Sequence, residues 1–225
     1  MERFFDIFFS SLSLLILSPL LVPIVLILRS SGEGEIFFLQ ERIGKDGEVF
    51  KLIKFATMLK DSPNIGTGTV TMKGDPRVLP VGKFLRKTKI NELPQLLNIF
   101  FGDMSVIGPR PLTSQTFGSY SISTQEVIKL VRPGLSGVGS IIFRGEEEIM
   151  HGASATVDFY DNVIAPYKGS LEEWFVSNKG INIYFLAILV TVWAVVFPSS
   201  KVAWRVFRDL PKPPAELKHA LNYIN

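Results

Sequence analysis

"IFFSSLSLLILSPLLVPIVLIL", residues Ile7 to Leu28, carries no charge over 22 residues. A straight helix of that length crosses a hydrocarbon layer of roughly 30 Å. Two prolines argue against straightness: Pro19 has no amide hydrogen and its ring crowds the preceding turn, and Pro23 repeats this four residues later. The stretch predicts a kink centred near Ser18-Pro19, with Ser10, Ser11, Ser13 and Ser18 at hand to bond the carbonyls that it frees. A cleaved leader does not fit, because Glu2 and Asp6 spoil a positive n-region and no small-residue cleavage site follows. Hydropathy admits either a full span or a broken helix that leaves by the face it entered. Arg3 before the run and Arg29 after it single out neither flank as the translocated one, which favours the re-entrant form.

The rest of the chain agrees with a membrane-associated protein. Of 225 residues 47% are hydrophobic, 18 of them Phe, and they are distributed unevenly. The absence of cysteine excludes disulfides, thiolate zinc sites and a cysteine nucleophile, and fits a reducing compartment. Net charge is only +3, yet Lys73, Arg77, Lys83, Arg86, Lys87 and Lys89 face the single acid Asp75 within one short strip. Such a strip is either a solvated face or a surface for phosphates, anionic lipid or nucleic acid, and without interleaved aromatics no nucleic acid is expected.

Beyond the apolar run, "EIFFLQERIG" and "EVFKLIKFATM" alternate as a small hairpin does, turning at Gly44 to Gly47. Ser62 to Gly74 has the Gly, Pro and Thr content of a loop. Ile183 to Phe197 is a second apolar run, but its 15 residues reach only about 22 Å as a helix, so it reads as a core or interfacial helix. "SSKVAWRVFRDL" then sets Lys201, Arg205 and Arg208 opposite Val202, Val206 and Phe207, with Trp204 at the margin, as on an interfacial or ordinary surface helix. The expected fold is membrane-associated and mainly α with a small β-hairpin (α+β). It comprises a broken re-entrant membrane helix (1–31), a cytosolic catalytic domain (32–182), and apolar and amphipathic C-terminal helices with a tail (183–225).

Chemistry concentrates in "NELPQLLNIFFGDMSVIGPRP", Asn91 to Pro111. Asn91 reads as a helix N-cap, Glu92 as an acid at the positive end of the dipole, and Pro94 as a first-turn residue. Leu93, Leu96, Leu97 and Phe100 would form one apolar face, and Gly102 the stop. Arg110 stands between Pro109 and Pro111, whose restricted backbone presents the guanidinium as a preorganised anion fork.

The stretch "RKTKINELPQLLNIFFGDMSVIGPRP" resembles the signature of the bacterial sugar transferases, the monotopic polyprenyl-phosphate phosphoglycosyl transferases. The likeness runs from Ile7 to about Tyr167 and takes in Ser18-Pro19, "ERIGKDGEVFKLIKFATM", "GDPRVLPVGKFLRKT" and "VRPGLSG" in the family's order. It implies transfer of a sugar phosphate from a UDP-sugar to polyprenyl (undecaprenyl) phosphate, with release of UMP, as the first membrane step of glycoconjugate or polysaccharide biosynthesis. It also implies Mg²⁺ as cofactor, contact with membrane lipid, and a bacterial cytoplasmic-membrane location with the catalytic domain cytosolic; a homodimer is compatible with it.

In that family an Asp-Glu pair stands where this chain has Asn91-Glu92, and the Asp forms a covalent phosphosugar intermediate. An amide is a far weaker nucleophile than a carboxylate and a poor Mg²⁺ ligand, so that role does not transfer simply to Asn91. Glu92 transfers as the metal or catalytic carboxylate, either taking over nucleophilic attack or activating polyprenyl phosphate for direct attack. Asp103 is a secondary candidate. The resemblance makes Arg86, Arg110 and Arg132 the phosphate contacts, with Lys87 and Lys89 as supporting charge. Arg144-Gly145-Glu146-Glu147-Glu148 departs from the family text and is read as a sugar-recognition region. His151 and His219 read as structural or solvated. Neither "GTGTVTMKG" nor "GLSGVGS" has P-loop or dinucleotide spacing. The alternative is a catalytically silent relative that binds nucleotide sugar or lipid carrier as a scaffold.

Overall fold

Helix α1 (Glu2–Arg29) runs through Pro19 and Pro23 as one element, without the expected break near Ser18-Pro19, in this computed structural model, which describes residues 1–64, 75–145 and 157–223. Pro19 cannot donate to the Leu15 carbonyl four residues back, and the Ser18 hydroxyl takes over, donating to that carbonyl at 2.8 Å. Among the described residues α1 is the one helix long and apolar enough to cross a membrane. Leu15, Ile16, Val22 and Leu26 are exposed on it, a surface suited to lipid. Contacts divide the chain into two units, Met1–Asp6 with Arg42–Phe50 and Gly102–Asn225, and Ile7–Glu41 with Lys51–Phe101.

The second of these units holds most of α1, α2 (Pro80–Lys87) and α3 (Gln95–Phe101). Strands β1 (Phe37–Ile43) and β2 (Val49–Phe55) form the expected two-stranded sheet, closed by a turn at Lys45–Gly47. Ile24, Leu28, Phe55 and Leu85 make a core with Leu21, Val25, Ile36, Val81 and Ile90 around them. After β2 the backbone pairs with the segment that leads into α2, Leu79 N–H donating to Thr57 O at 3.0 Å and Leu59 N–H to Arg77 O at 3.0 Å.

Helix α3 corrects the expected apolar face. Gln95, Leu96, Asn98 and Ile99 are buried, whereas Phe100 is exposed. The reason is Asn98, whose amide donates to Lys51 O at 2.8 Å and accepts from Ile53 N–H at 2.9 Å. The side chain imitates a neighbouring strand on the edge of β2, and that bond pair sets the rotation of the helix. Gly102 does end the helix, at φ 106°.

In the first unit β3 (Ser105–Ile107) and β4 (Gly134–Ser136) pair in parallel, Ser105 opposite Gly134 and Ile107 opposite Ser136. Helices α4 (Ser114–Gly118), α5 (Ile122–Ile128), α6 (Val138–Ile142) and α7 (Ala165–Asn178) follow, the last preceded by a π-turn at Tyr160–Ile164. Asp6, 2% exposed, ties the first turn of α1 to this unit by accepting from Ser105 Oγ, Val106 N–H and Tyr184 Oη, each at 2.9 Å. Helix α8 (Ile181–Val196) combines both expectations for the second apolar run: Tyr184, Ala187, Val190 and Ala194 are buried, while Leu189, Val192, Trp193 and Val196 are exposed. In α9 (Val202–Val206) and just beyond it, Lys201, Arg205 and Arg208 are exposed and Phe207 is buried, as the spacing predicts. Trp204, expected at a lipid margin, instead donates from Nε1 to Leu221 O at 3.1 Å and packs edge-on to Tyr223 beyond α10 (Ala215–Lys218). Residues 65–74 of the expected loop, Glu146 to Glu148, and His151 lie outside the described residues.

The β3–β4 pair depends on missing side chains. A Cβ on Gly134 would stand 2.1 Å from Gly108 N and 2.5 Å from Ser136 O, both backbone atoms. Gly134→Ala is expected to destabilise the fold on the order of 3 kcal/mol. Gly118→Ala, where a Cβ meets nothing within 4 Å, is the control and stays near neutral. Thermal unfolding of both variants in detergent checks the contrast.

Candidate functional site

Asn91 and Glu92 follow a strained residue. Helix α2 stops at Lys87, Thr88 Oγ1 donates back to Phe84 O at 2.8 Å, and Lys89 takes the left-handed conformation with φ 59°. For a residue with a Cβ this costs on the order of 1 kcal/mol. The chain then makes a single 3-10 turn, Ile90–Glu92, with Glu92 N–H on Lys89 O and Leu93 N–H on Ile90 O, both at 3.1 Å. Regular α-helix begins only at Gln95, after Pro94.

The expected N-cap is therefore absent: no side chain caps this turn, and Asn91 Oδ1 is buried with no hydrogen-bond partner among the described residues. An acceptor left so costs about 1–3 kcal/mol. Beside it Glu92 is half-buried. Arg86, on the last turn of α2, is half-buried with Nη1 3.4 Å from Met58 Sδ. Lys87 and Lys89 are exposed.

Arg77 leaves the basic strip. Its Nη2 lies 2.6 Å from Asp75 Oδ2 and its Nε 2.9 Å from Oδ1, with Nη1 donating to Ser62 O at 2.6 Å, all of it buried. The pair neutralises itself and clasps the segment that leads into α2. Lys73 lies outside the described residues.

Arg110 belongs to the other unit, on a loop whose backbone is bonded at nearly every step. Gly108 N–H donates to Ser136 O at 2.9 Å, Gly134 N–H to Pro109 O at 2.7 Å, and Ile43 N–H to Leu112 O at 2.9 Å. Arg42 Nη1 donates to Pro111 O at 3.2 Å. Pro109, Pro111 and Leu112 are buried, and Arg110 alone is exposed. Held backbone and free side chain are what the two prolines predict for an anion fork. Arg132, half-buried, donates from Nε to Gly102 O at 2.7 Å and lines a cavity of about 420 Å³ with Arg3, Lys45 and Lys179. Arg110 lines a separate, much smaller cavity with Lys129.

The five predicted residues thus divide, Arg86, Asn91 and Glu92 on one unit and Arg110 and Arg132 on the other. Asp103 is exposed. Among the described residues no three His, Asp or Glu side chains gather where they could hold a metal. One carboxylate escaped the sequence reading altogether: Glu172 on α7 is 2% exposed, and its Oε2 has no hydrogen-bond partner among the described residues. Burial pushes its carboxyl up to about 7, against the opposing pull of Lys168 and Arg110. "LEEWF" looks like any amphipathic turn, and nothing in its local sequence says which of its two acids points inward.

Compared with known proteins, the chain matches the family model described as bacterial sugar transferase over residues 1–198. It is 36% identical to the exopolysaccharide production protein ExoY of Sinorhizobium fredii, across 64% of this chain and 70% of that protein. It is also 36% identical to the UDP-glucose:undecaprenyl-phosphate glucose-1-phosphate transferase of Klebsiella pneumoniae, across 70% of this chain but 34% of that protein. Similarity to the undecaprenyl-phosphate galactose phosphotransferase of Salmonella typhimurium is 28% identity, covering 91% of this chain and 40% of that one. The chain thus spans well under half the length of the two transferases.

The Glu172 shift has a sign that can be tested. A carboxyl raised from 4.5 to about 7 takes up a proton on folding in that interval, so its contribution falls as pH rises from 4.5 to about 7 and levels off above. Measured against Glu172→Gln, the parent is expected to lose up to roughly 3 kcal/mol of stability across that window. Unfolding midpoints of both proteins between pH 5 and pH 8 check it.

Proposed function

The chain belongs to the bacterial sugar transferase family, and on that premise we propose that it transfers a sugar phosphate from a UDP-sugar to polyprenyl phosphate. The products are a polyprenyl-diphosphate-linked sugar and UMP, and the step opens polysaccharide or glycoconjugate assembly. The observation that carries the reading is the match over residues 1–198, joined to relatives named as undecaprenyl-phosphate sugar phosphotransferases. Arg110, exposed on a backbone-bonded loop, supports it as a fork for the donor diphosphate.

In the proposed reaction an oxygen of the carrier phosphate ends bonded to the sugar-side phosphorus, and the phosphorus–oxygen bond to UMP breaks. Glu92 either makes the first attack itself or orients the carrier phosphate for direct attack. Asn91, with a neutral amide, accepts a hydrogen bond from the donor through its unpartnered Oδ1. Arg86, Arg110 and Arg132 bind phosphate oxygens.

The residues fit Mg²⁺ in the manner usual for phosphoryl transfer, where the ion takes one or two protein oxygens and fills its shell from phosphates and water. Glu92 would supply the protein carboxylate, and an ion held there would neutralise charge on the diphosphate. At the membrane, α1 is proposed to enter and leave by the cytoplasmic face of a bacterial inner membrane, with the remainder of the chain cytosolic. The Ser18 bond to Leu15 O supports residence of this segment in lipid, since it satisfies the carbonyl that Pro19 frees. The re-entrant form rests on the like-charged flanks Arg3 and Arg29.

Protein in detergent, given undecaprenyl phosphate, Mg²⁺ and a panel of UDP-sugars, is expected to release UMP with at least one of them. Glu92→Gln is expected to lower that release by about a hundredfold or more while leaving thermal stability nearly unchanged. Release of no UMP with any donor overturns the transferase reading and leaves a binding scaffold.

The topology has its own test, made simple by a chain without cysteine. Cysteines introduced as Glu2→Cys and Glu33→Cys are expected to react with an impermeant thiol reagent from the same, cytoplasmic side. Labelling from opposite sides establishes a full span.

A further inference from the structure

Four cations from four separate places in the chain converge on one cavity of the first unit. Arg3 comes from the first turn of α1, Lys45 from the turn between β1 and β2, Arg132 from the approach to β4, and Lys179 from the end of α7, and all four line the same space of about 420 Å³. We propose that this cavity binds the phosphate of a lipid headgroup. The inference rests on the reading of Arg132 as a phosphate contact and deepens it by naming the kind of phosphate.

The carboxylates on the lining do not cancel the charge. They are Glu2 and Asp6, and Asp6 is 2% exposed and committed to Ser105 Oγ, Val106 N–H and Tyr184 Oη, each at 2.9 Å. Lys45 lies 3.6 Å from Asp46 Oδ2, but both side chains of that pair are exposed, so water screens it and the ammonium remains available to an anion. A concave surface with this excess of one sign concentrates ions of the other.

Two of the four cations meet at Gly102. Arg132 Nε donates to its carbonyl at 2.7 Å, which spends one of the five guanidinium donors, and Arg3 Nη2 stands 3.2 Å from the place that a Cβ on Gly102 would occupy. Guanidiniums brought together in this way offer planar, paired donors to phosphate oxygens, and the two lysines add charge around them.

The setting favours a lipid over a soluble anion. Arg3 belongs to the helix that, among the described residues, is long and apolar enough to cross a membrane, and its neighbour Phe4 is 68% exposed. Leu130, on the cavity lining itself, is 58% exposed. Apolar surface beside a cationic recess suits a ligand with a phosphate at one end and hydrocarbon at the other, and basic residues next to a membrane helix are where anionic headgroups are met.

The test is native mass spectrometry of the detergent-solubilised chain, titrated without any nucleotide sugar. Dioleoyl phosphatidylglycerol and undecaprenyl phosphate are the two probes, offering the same anionic oxygens on a diester and on a monoester. At least one is expected to be retained as a single molecule, and Lys45→Gln/Lys179→Gln is expected to weaken it by about tenfold. Lys212→Gln/Lys218→Gln removes the same charge from exposed positions away from the cavity and is expected to leave binding unchanged. The lipid that shows this difference is the occupant. Inorganic phosphate in about hundredfold excess is expected not to displace it, because it lacks the apolar part.

Retention of neither lipid overturns the site, and so does an equal effect of the two double variants, whether loss or none. Displacement by inorganic phosphate overturns the lipid as occupant. Release of UMP by the parent is a separate measurement, so the transferase reading stands or falls without this one.

Discussion

Two strands of backbone in direct contact, Gly108 against Gly134, are the constraint on which the first unit depends. The contact allows a parallel pair only three residues long to carry bonds on both sides: Ser105 N–H to Pro133 O at 2.9 Å, Gly108 N–H to Ser136 O at 2.9 Å, and Gly134 N–H to Pro109 O at 2.7 Å. On one flank Asp6 takes up Ser105 and Val106, and on the other the loop that bears Arg110 begins. A Cβ at any of Gly108, Gly134 or Gly137 would fall 2.1–2.4 Å from a backbone atom, so the arrangement has no tolerance to give. Rigidity there holds the backbone that bears the exposed Arg110, the residue proposed to bind the donor diphosphate by its planar fork.

Buried polar side chains do the work that longer sheets do elsewhere. Asp6 gathers three donors, Asn98 pairs with both Lys51 O and Ile53 N–H, and the Asp75–Arg77 pair reaches Ser62 O. Each bonds to backbone, so each fixes the register of one element on another. Such groups add little net stability, but they are expensive to leave unsatisfied, and alternative packings that break them are correspondingly disfavoured. Glu172, whose Oε2 has no hydrogen-bond partner among the described residues, is not satisfied in this way.

The turn at Asn91-Glu92 departs from that economy in another way. A left-handed Lys89 and a buried, unpartnered amide oxygen sit within three residues of each other. Lys89 ends α2 and its N–H bonds back to Arg86 O, but the Asn91 oxygen has no partner among the described residues, an unmet acceptor of the kind a ligand can satisfy. Asn91 brings no charge to this turn, and on the proposed function the carboxylate chemistry falls to Glu92.

By itself the sequence determined what depends on neighbours along the chain. The apolar α1, the hairpin turn near Gly44 to Gly47, the helix stop at Gly102 and the constrained Arg110 were all legible, because periodicity, proline and glycine act through local dihedrals and spacing. Ser18 as the substitute donor for Pro19 was legible for the same reason, one residue away from the bond it replaces. Tertiary structure alone decided the rotation of α3, the failure of Asn91 to cap, the withdrawal of Arg77 into a buried pair, and the burial of Glu172. The first and third turn on which partner claims a polar group, and the partners lie away in sequence: Asn98 against Lys51 and Ile53, Arg77 against Ser62. A local capping preference amounts to about 1 kcal/mol, and a buried amide that satisfies two backbone groups at once outweighs it.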